Sequence, residues 1–147
     1  MRPGWTTVAL GDVAEIERHG VDPSDLAEDT PYVGLEHIES GGRIIGRSTV
    51  GESAVASTKF RFGPEHVLFG KLRPYLAKIA APDFPGVCST DILPIRPKPT
   101  LIASYLKHFL RQPVIVDLAS ARATGANLPR LSASELARFE LPLPPAA

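Results

Sequence analysis

The sequence predicts an α+β domain in which short strands come first and a pair of helices follows toward the C-terminus. Three observations carry that prediction. Apolar and polar residues alternate with a strand's period in stretches such as 35–39 and 59–62. Glycine and proline, 12 and 15 of the 147 residues, cut those stretches short. Leu101, Ile102, Tyr105, Leu106, Phe109 and Leu110 then recur at helical spacing. A chain of this length is large enough for a hydrophobic core and is read as one domain, 1–147.

In chain order, residues 5–10 read as a strand and 11–16 as a brief helical turn. Residues 19–31 read as loop from their Gly, Pro and Asp content. Residues 32–39 form a predicted strand that stops at Ser40-Gly41-Gly42 and resumes at 43–46, making a hairpin. Phe60 and Phe62 alternate with Lys59 and Arg61, and 63–66 is a turn. Two strand-like runs, 67–69 and 76–80, flank the polar connection Gly70-Lys71-Leu72-Arg73-Pro74-Tyr75. Residues 82–85 are loop, and 87–95 are a largely buried strand ended by Pro97 and Pro99. Thr100 is the expected N-cap of the first helix. Pro113 ends that helix and occupies the first turn of a second, carried by Val114, Ile115, Leu118 and Ala119. Residues 124–130 are loop, Ser132 and Glu135 make a capping box for a short helix, and 139–143 form a closing strand.

Composition excludes several function classes. No apolar run approaches the roughly 20 residues of a membrane span, and the start lacks a signal-peptide core, so a cytoplasmic protein without a membrane partner is expected. A lone Cys88 cannot form an internal disulfide. His19, His37, His66 and His108 share no metal-ligand spacing. Glu36-His37 and Cys88-Ser89-Thr90-Asp91 invite a nucleophile–base reading, but no glycine-rich elbow accompanies them. No phosphate-cradling glycine loop is present, and the chain does not read as an enzyme.

Net charge is zero, yet it is unevenly spread. Residues 1–53 carry four basic and ten acidic residues, net −6, whereas 54–147 carry twelve and six, net +6. Local potential rather than total charge steers a polyanion, so a basic face on a neutral protein is open. An acidic half seated on a basic partner is equally open.

The candidate readers are polar and cationic residues on loops. Lys71, Arg73 and Lys78 supply charge, Tyr75 an aromatic face, and Ser89 and Thr90 hydroxyl donors for phosphate. Asn127 has the paired donor and acceptor that matches adenine, and Arg130 the fork that matches guanine or phosphate. For each, a solvated or turn-stabilising side chain is the competing reading; Asn127, close to Gly125, suits a strained turn. Arg96 and Lys98, beside Pro97, read as solubilising charges at a strand end.

Four blocks occur in one order: Tyr32-Val33-Gly34-Leu35-Glu36-His37-Ile38, residues 67–78, residues 124–132, and Phe139-Glu140-Leu141-Pro142-Leu143-Pro144-Pro145. With Trp5 and Leu10-Gly11-Asp12-Val13, they make a chain that resembles the target recognition domain of the specificity (S) subunit of type I restriction–modification systems. That resemblance implies an α+β fold with a twisted, mostly antiparallel sheet and a C-terminal pair of helices. It implies a non-catalytic module that reads one half of a bipartite double-stranded DNA target. Its partners would be a methyltransferase (modification) subunit that methylates adenine and a restriction (endonuclease) subunit. S-adenosylmethionine, ATP and Mg would belong to those subunits, with no cofactor in this chain. By resemblance, DNA contact falls on Lys71, Arg73 and Tyr75 and on Asn127 and Arg130. The family's two domains are separated by long helices, and the sequence stops at Ala146-Ala147, where such a helix is expected. It therefore reads as one half-site reader that either pairs with a second S-type chain or a copy of itself, or is a truncated or split product. The alternative is a protein-interaction module that docks on a modification subunit, with DNA reading lost or secondary.

Overall fold

Alternating apolar side chains and frequent glycines and prolines fold the first hundred residues into short strands rather than long ones. The computed structural model describes residues 3–145. Strand β1 (Thr6–Ala9) leads into a single helical turn, α1 (Leu10–Val13), and directly into β2 (Ala14–Ile16). Strands β3 (Gly20–Val21), β4 (Pro31–Val33), β5 (Ile38–Glu39), β6 (Arg43–Ile44), β7 (Ser48–Thr49) and β8 (Lys59–Phe62) follow. Next come β9 (Val67–Gly70), β10 (Ile79–Ala80), β11 (Gly86–Cys88) and β12 (Ile92–Pro97). The helices α2 (Ala103–Arg111), α3 (Pro113–Arg122) and α4 (Ala133–Ala137) precede the closing strand β13 (Glu140–Leu143).

The strands assemble into a four-stranded sheet in the order β10-β9-β12-β2 and a five-stranded sheet in the order β3-β8-β11-β4-β7. Two smaller pairs are β1-β13 and the hairpin β5-β6. Among the described residues every named pair is antiparallel except β4 with β11. The α+β class and the mostly antiparallel pairing thus match the sequence, with the strands distributed over several sheets.

Several local expectations are corrected. Of 11–16, expected as a helical turn, Ala14–Ile16 is strand β2 paired with β12, and the loop expected at 19–31 contains β3, paired with β8. Residues 32–39 are not one strand, because Leu35–His37 tighten into a 3-10 turn. There the Gly34 N–H donates to His37 Nδ1 at 2.9 Å, and the His37 N–H donates to the Gly34 carbonyl at 3.0 Å. The run 76–80 is shortened to β10, since Pro74–Leu76 is another 3-10 turn and Ala77 is left-handed, φ 51°. The run 87–95 is broken at Ser89, whose carbonyl accepts the Ile92 N–H at 3.0 Å. Finally, Thr100 does not cap α2: the N-cap is Ile102, with no side-chain cap. The Leu101 N–H donates to the Lys98 carbonyl and holds Thr100 in a preceding turn. Pro113 at the start of α3 and Ser132 as the N-cap of α4 stand as expected, the Ser132 hydroxyl accepting the Glu135 N–H at 3.2 Å.

Two cores lie on either side of the four-stranded sheet. One packs Val67, Phe69, Leu93 and Ile95 against Leu106, Phe109 and Leu110 of α2 and against Leu136 and Leu141. The other joins Leu68 and Ile92 to Val33, Phe62 and Cys88 of the five-stranded sheet. Residues i and i+1 on β9 therefore serve different cores, the period-2 geometry of a sheet buried on both faces.

Candidate nucleic-acid interface

Three loops that are distant in sequence are laced together at Lys71. Its N–H donates to the Asp91 carbonyl, and its own carbonyl accepts the Leu131 N–H, both at 2.9 Å. Two residues on, the Arg73 N–H donates to the Pro129 carbonyl at 2.7 Å. Segment 124–130 is itself closed by reciprocal bonds between Thr124 and Arg130, at 2.9 and 3.0 Å. Gly125 makes that closure possible: its φ is 114°, and a Cβ there would lie 2.9 Å from the Leu128 carbonyl. On the other side, the β5-β6 hairpin abuts residues 76–77. The Gly41 N–H donates to the Ala77 carbonyl at 3.0 Å and the Ser40 hydroxyl to the Leu76 carbonyl.

Backbone bonds thus bring most of the candidate readers into one neighbourhood. Lys71 is half-buried and Arg73 exposed, and neither side chain has a hydrogen bond or ion pair among the described residues. Arg73 sits at φ 51°, ψ 65°, a left-handed conformation that arginine adopts at a cost. Tyr75, 56 % exposed, stands in the following 3-10 turn. Asn127 and Thr90 are exposed loop residues. The positive-φ residue of its loop is Gly125, so Asn127 is not there to fill a strained turn. Arg130 donates from Nε to Asp91 Oδ1 at 2.8 Å, a bond that raises its pKa further. Ser89 accepts the Asp91 N–H on its hydroxyl at 3.1 Å, which shapes its turn. Lys78 donates from Nζ to the Leu35 carbonyl at 2.8 Å, tying its charge to the 3-10 turn at residues 35–37.

The hairpin is the part of this neighbourhood that the sequence reading left unassigned. Its strand residue Arg43 is exposed and pairs with Glu39 at 3.1 Å, and Ile45 is 59 % exposed. The Gly41-Gly42 turn was visible in the sequence, but nothing local tells where a hairpin will lie.

Other polar groups are engaged in holding the fold. Arg96 is no mere solubilising charge: its Nε donates to Glu17 Oε1 at 2.8 Å, and His66 Nε2 meets the same oxygen at 2.7 Å. Because His66 Nδ1 accepts the Gly63 N–H, Nε2 carries the proton that donates to Glu17. Burial pushes the Glu17 carboxyl up, but the hydrogen bonds from Arg96 and His66 outweigh it and hold Glu17 below its ordinary value. Cys88 is fully buried, and burial pushes its thiol up to about 12. Such a thiol is not a nucleophile at neutral pH. His37 spends Nδ1 on the Gly34 N–H, so the nucleophile–base reading has no chemistry behind it.

Residues 3–147 match the family described as the type I restriction modification DNA specificity domain. The chain is 30 % identical over 142 residues to the EcoDI specificity subunit of a type I restriction enzyme from Escherichia coli, covering 96 % of this chain and 31 % of that protein. It superposes with a TM-score of 0.82 on the crystal structure of the HsdS subunit from Thermoanaerobacter tengcongensis, at 26 % identity, covering 97 % of this chain and 38 % of that one. A structure concerned with complex assembly and conformational transition of the type I R-M system gives 0.83 at 27 % identity, covering 98 % and 39 %. The chain therefore spans about a third of the length of the relatives it matches.

Proposed function

Because the chain belongs to the type I restriction modification DNA specificity domain family, we propose that it reads one half of a bipartite duplex target and directs an adenine methyltransferase and its restriction partner to it. Membership in a specificity family makes it a recognition component, not an enzyme. The observation that most supports half-site reading is the lacing of loops 70–78, 89–91 and 124–131 through Lys71, Arg73 and Leu131. It gathers Lys71, Arg73, Tyr75, Asn127 and Arg130 onto rigid backbone, with short strands and α3 as the scaffold. Lys71 and Arg73 act as phosphate anchors, while Tyr75, Asn127 and Arg130 reach base edges. In this reading the other half of the target falls to a second S-type recognition domain. In this reading S-adenosylmethionine, ATP and Mg²⁺ are held by the partner subunits, and the complex works on cytoplasmic DNA.

Binding to a randomised duplex pool tests the reading. The wild-type chain should enrich a short sequence, and Lys71→Ala or Arg73→Ala should lower affinity for all duplexes. Each should also flatten the salt dependence by about one phosphate's worth of counterion release.

A second reading rests on a different surface. Ile102 is 70 % exposed beside Tyr105, Leu143 and Pro145, making an apolar groove next to the closing strand. Docking of a modification subunit there would be seen as co-purification lost on Ile102→Asp with DNA binding intact.

A further inference from the structure

Asp91 is the only acidic residue in the three laced loops, and it lies at their junction. Its carbonyl accepts the Lys71 N–H at 2.9 Å, and its N–H donates to the Ser89 hydroxyl at 3.1 Å. Its carboxylate holds Arg130 Nε at 2.8 Å. A carboxylate is a liability on a surface that only needs to adhere to phosphates, since it repels them. Its place beside Lys71 and Arg130 therefore calls for another role. Arg130 is fixed at both ends. Its backbone is paired with Thr124, its neighbour Leu131 is bonded to Lys71, and its guanidinium is held through Nε. With Nε committed, the two terminal amino groups make no further hydrogen bond among the described residues. They remain as a pair of donors, the spacing that matches guanine O6 and N7.

We propose that Asp91 is a specificity-positioning residue: it orients Arg130 as a fixed fork that reads a guanine edge in duplex DNA. The inference rests on the half-site reading above. An unheld arginine would swing to the nearest phosphate and add affinity for every sequence. A held one adds affinity only where a guanine meets it, and the carboxylate beside it penalises non-specific phosphate contact. Asp91 is thus expected to lower general affinity while raising selectivity, the opposite of what a simple ion-pair tie between loops would do.

The test uses the full chain, a randomised duplex pool, and the variants Asp91→Asn and Arg130→Lys. Both variants should lose preference for guanine at the same single position, by about ten-fold or more, and keep the rest of the enriched motif. D91N should bind unselected duplex at least as well as wild type, with an equal or steeper dependence on salt. A D91N motif unchanged from wild type overturns the proposal. So does a loss spread evenly over all positions together with a lowered melting temperature, which would make Asp91 a structural tie. An R130K motif that retains every position overturns it whatever D91N does. If wild type enriches no sequence, the half-site reading itself fails; if wild type enriches one and the variants keep it, only the role of Asp91 fails.

Discussion

Arg73 is the residue at which structure and proposed function conflict most openly. Left-handed backbone costs a non-glycine residue roughly 1–2 kcal/mol, and glycine would avoid it. Yet arginine stands there, exposed, with its N–H bonded to Pro129. Glycine would regain that strain but lose about 0.4–1 kcal/mol through a freer unfolded chain. Arg73→Gly should therefore leave stability unchanged or raise it by up to about 1.6 kcal/mol in urea denaturation, while weakening DNA binding. A destabilised R73G protein would show that the side chain serves packing. Glu17 makes the reverse case, a charge that serves the fold. Its pKa is lowered from the ordinary 4.5, so its stabilising contribution is fully present above about pH 4.5 and is lost as pH falls through the depressed folded value. The melting-temperature advantage of wild type over Glu17→Gln should be full at pH 7 and shrink in acid below pH 4.5. An advantage independent of pH would mean the carboxylate's charge is not what His66 and Arg96 hold.

At the scale of elements, the β5-β6 hairpin is positioned by one crowded glycine and one open one. A Cβ on Gly42 would fall 2.0 Å from the Ile79 carbonyl and 2.3 Å from Arg111 Nε, whereas none of the surroundings comes within 4 Å at Gly41. Both have positive φ, 96° and 91°. Gly41→Ala should cost about 1 kcal/mol, from backbone conformation alone. Gly42→Ala should cost about 2–3 kcal/mol, because a backbone carbonyl cannot move aside like a side-chain tip. Equal losses in denaturant titrations would place the hairpin elsewhere. The helices were legible because the stripe from Leu101 to Leu110 repeats over several turns. The short elements were not: Leu35 and Ile38 are three apart, which fits a 3-10 turn as well as a strand. Ser89-Thr90-Asp91 interrupt the apolar residues of 87–95 with a turn closed by the Ile92 N–H on the Ser89 carbonyl, which a strand reading of the whole stretch passes over. The Gly41-Gly42 turn was visible, but the bonds of Ser40 and Gly41 to residues 76–77 link segments over thirty residues apart without any local signature.

At the scale of the whole molecule, two cores share the four-stranded sheet, and β1 pairs with β13 so that the two ends of the described chain meet. The candidate readers could be chosen from residue chemistry, since cations, an aromatic and an amide on loops are visible in any sequence. That Lys71, Asp91 and Arg130 form one junction was not visible, because 39 residues separate Arg130 from Asp91. The net +6 of residues 54–147 contributes Lys71, Arg73, Lys78 and Arg130 to that region, while the carboxylates of Glu17 and Glu135 are spent on partners in the fold. A neutral protein can in this way keep a basic surface for a polyanion. The most direct measurement is a titration of the full chain against a randomised duplex pool at about 50 and 200 mM salt. Enrichment of one short sequence, with affinity falling steeply between the two salt concentrations, is the predicted result. Binding that is absent at low salt, or that shows no sequence preference there, would contradict a half-site reader.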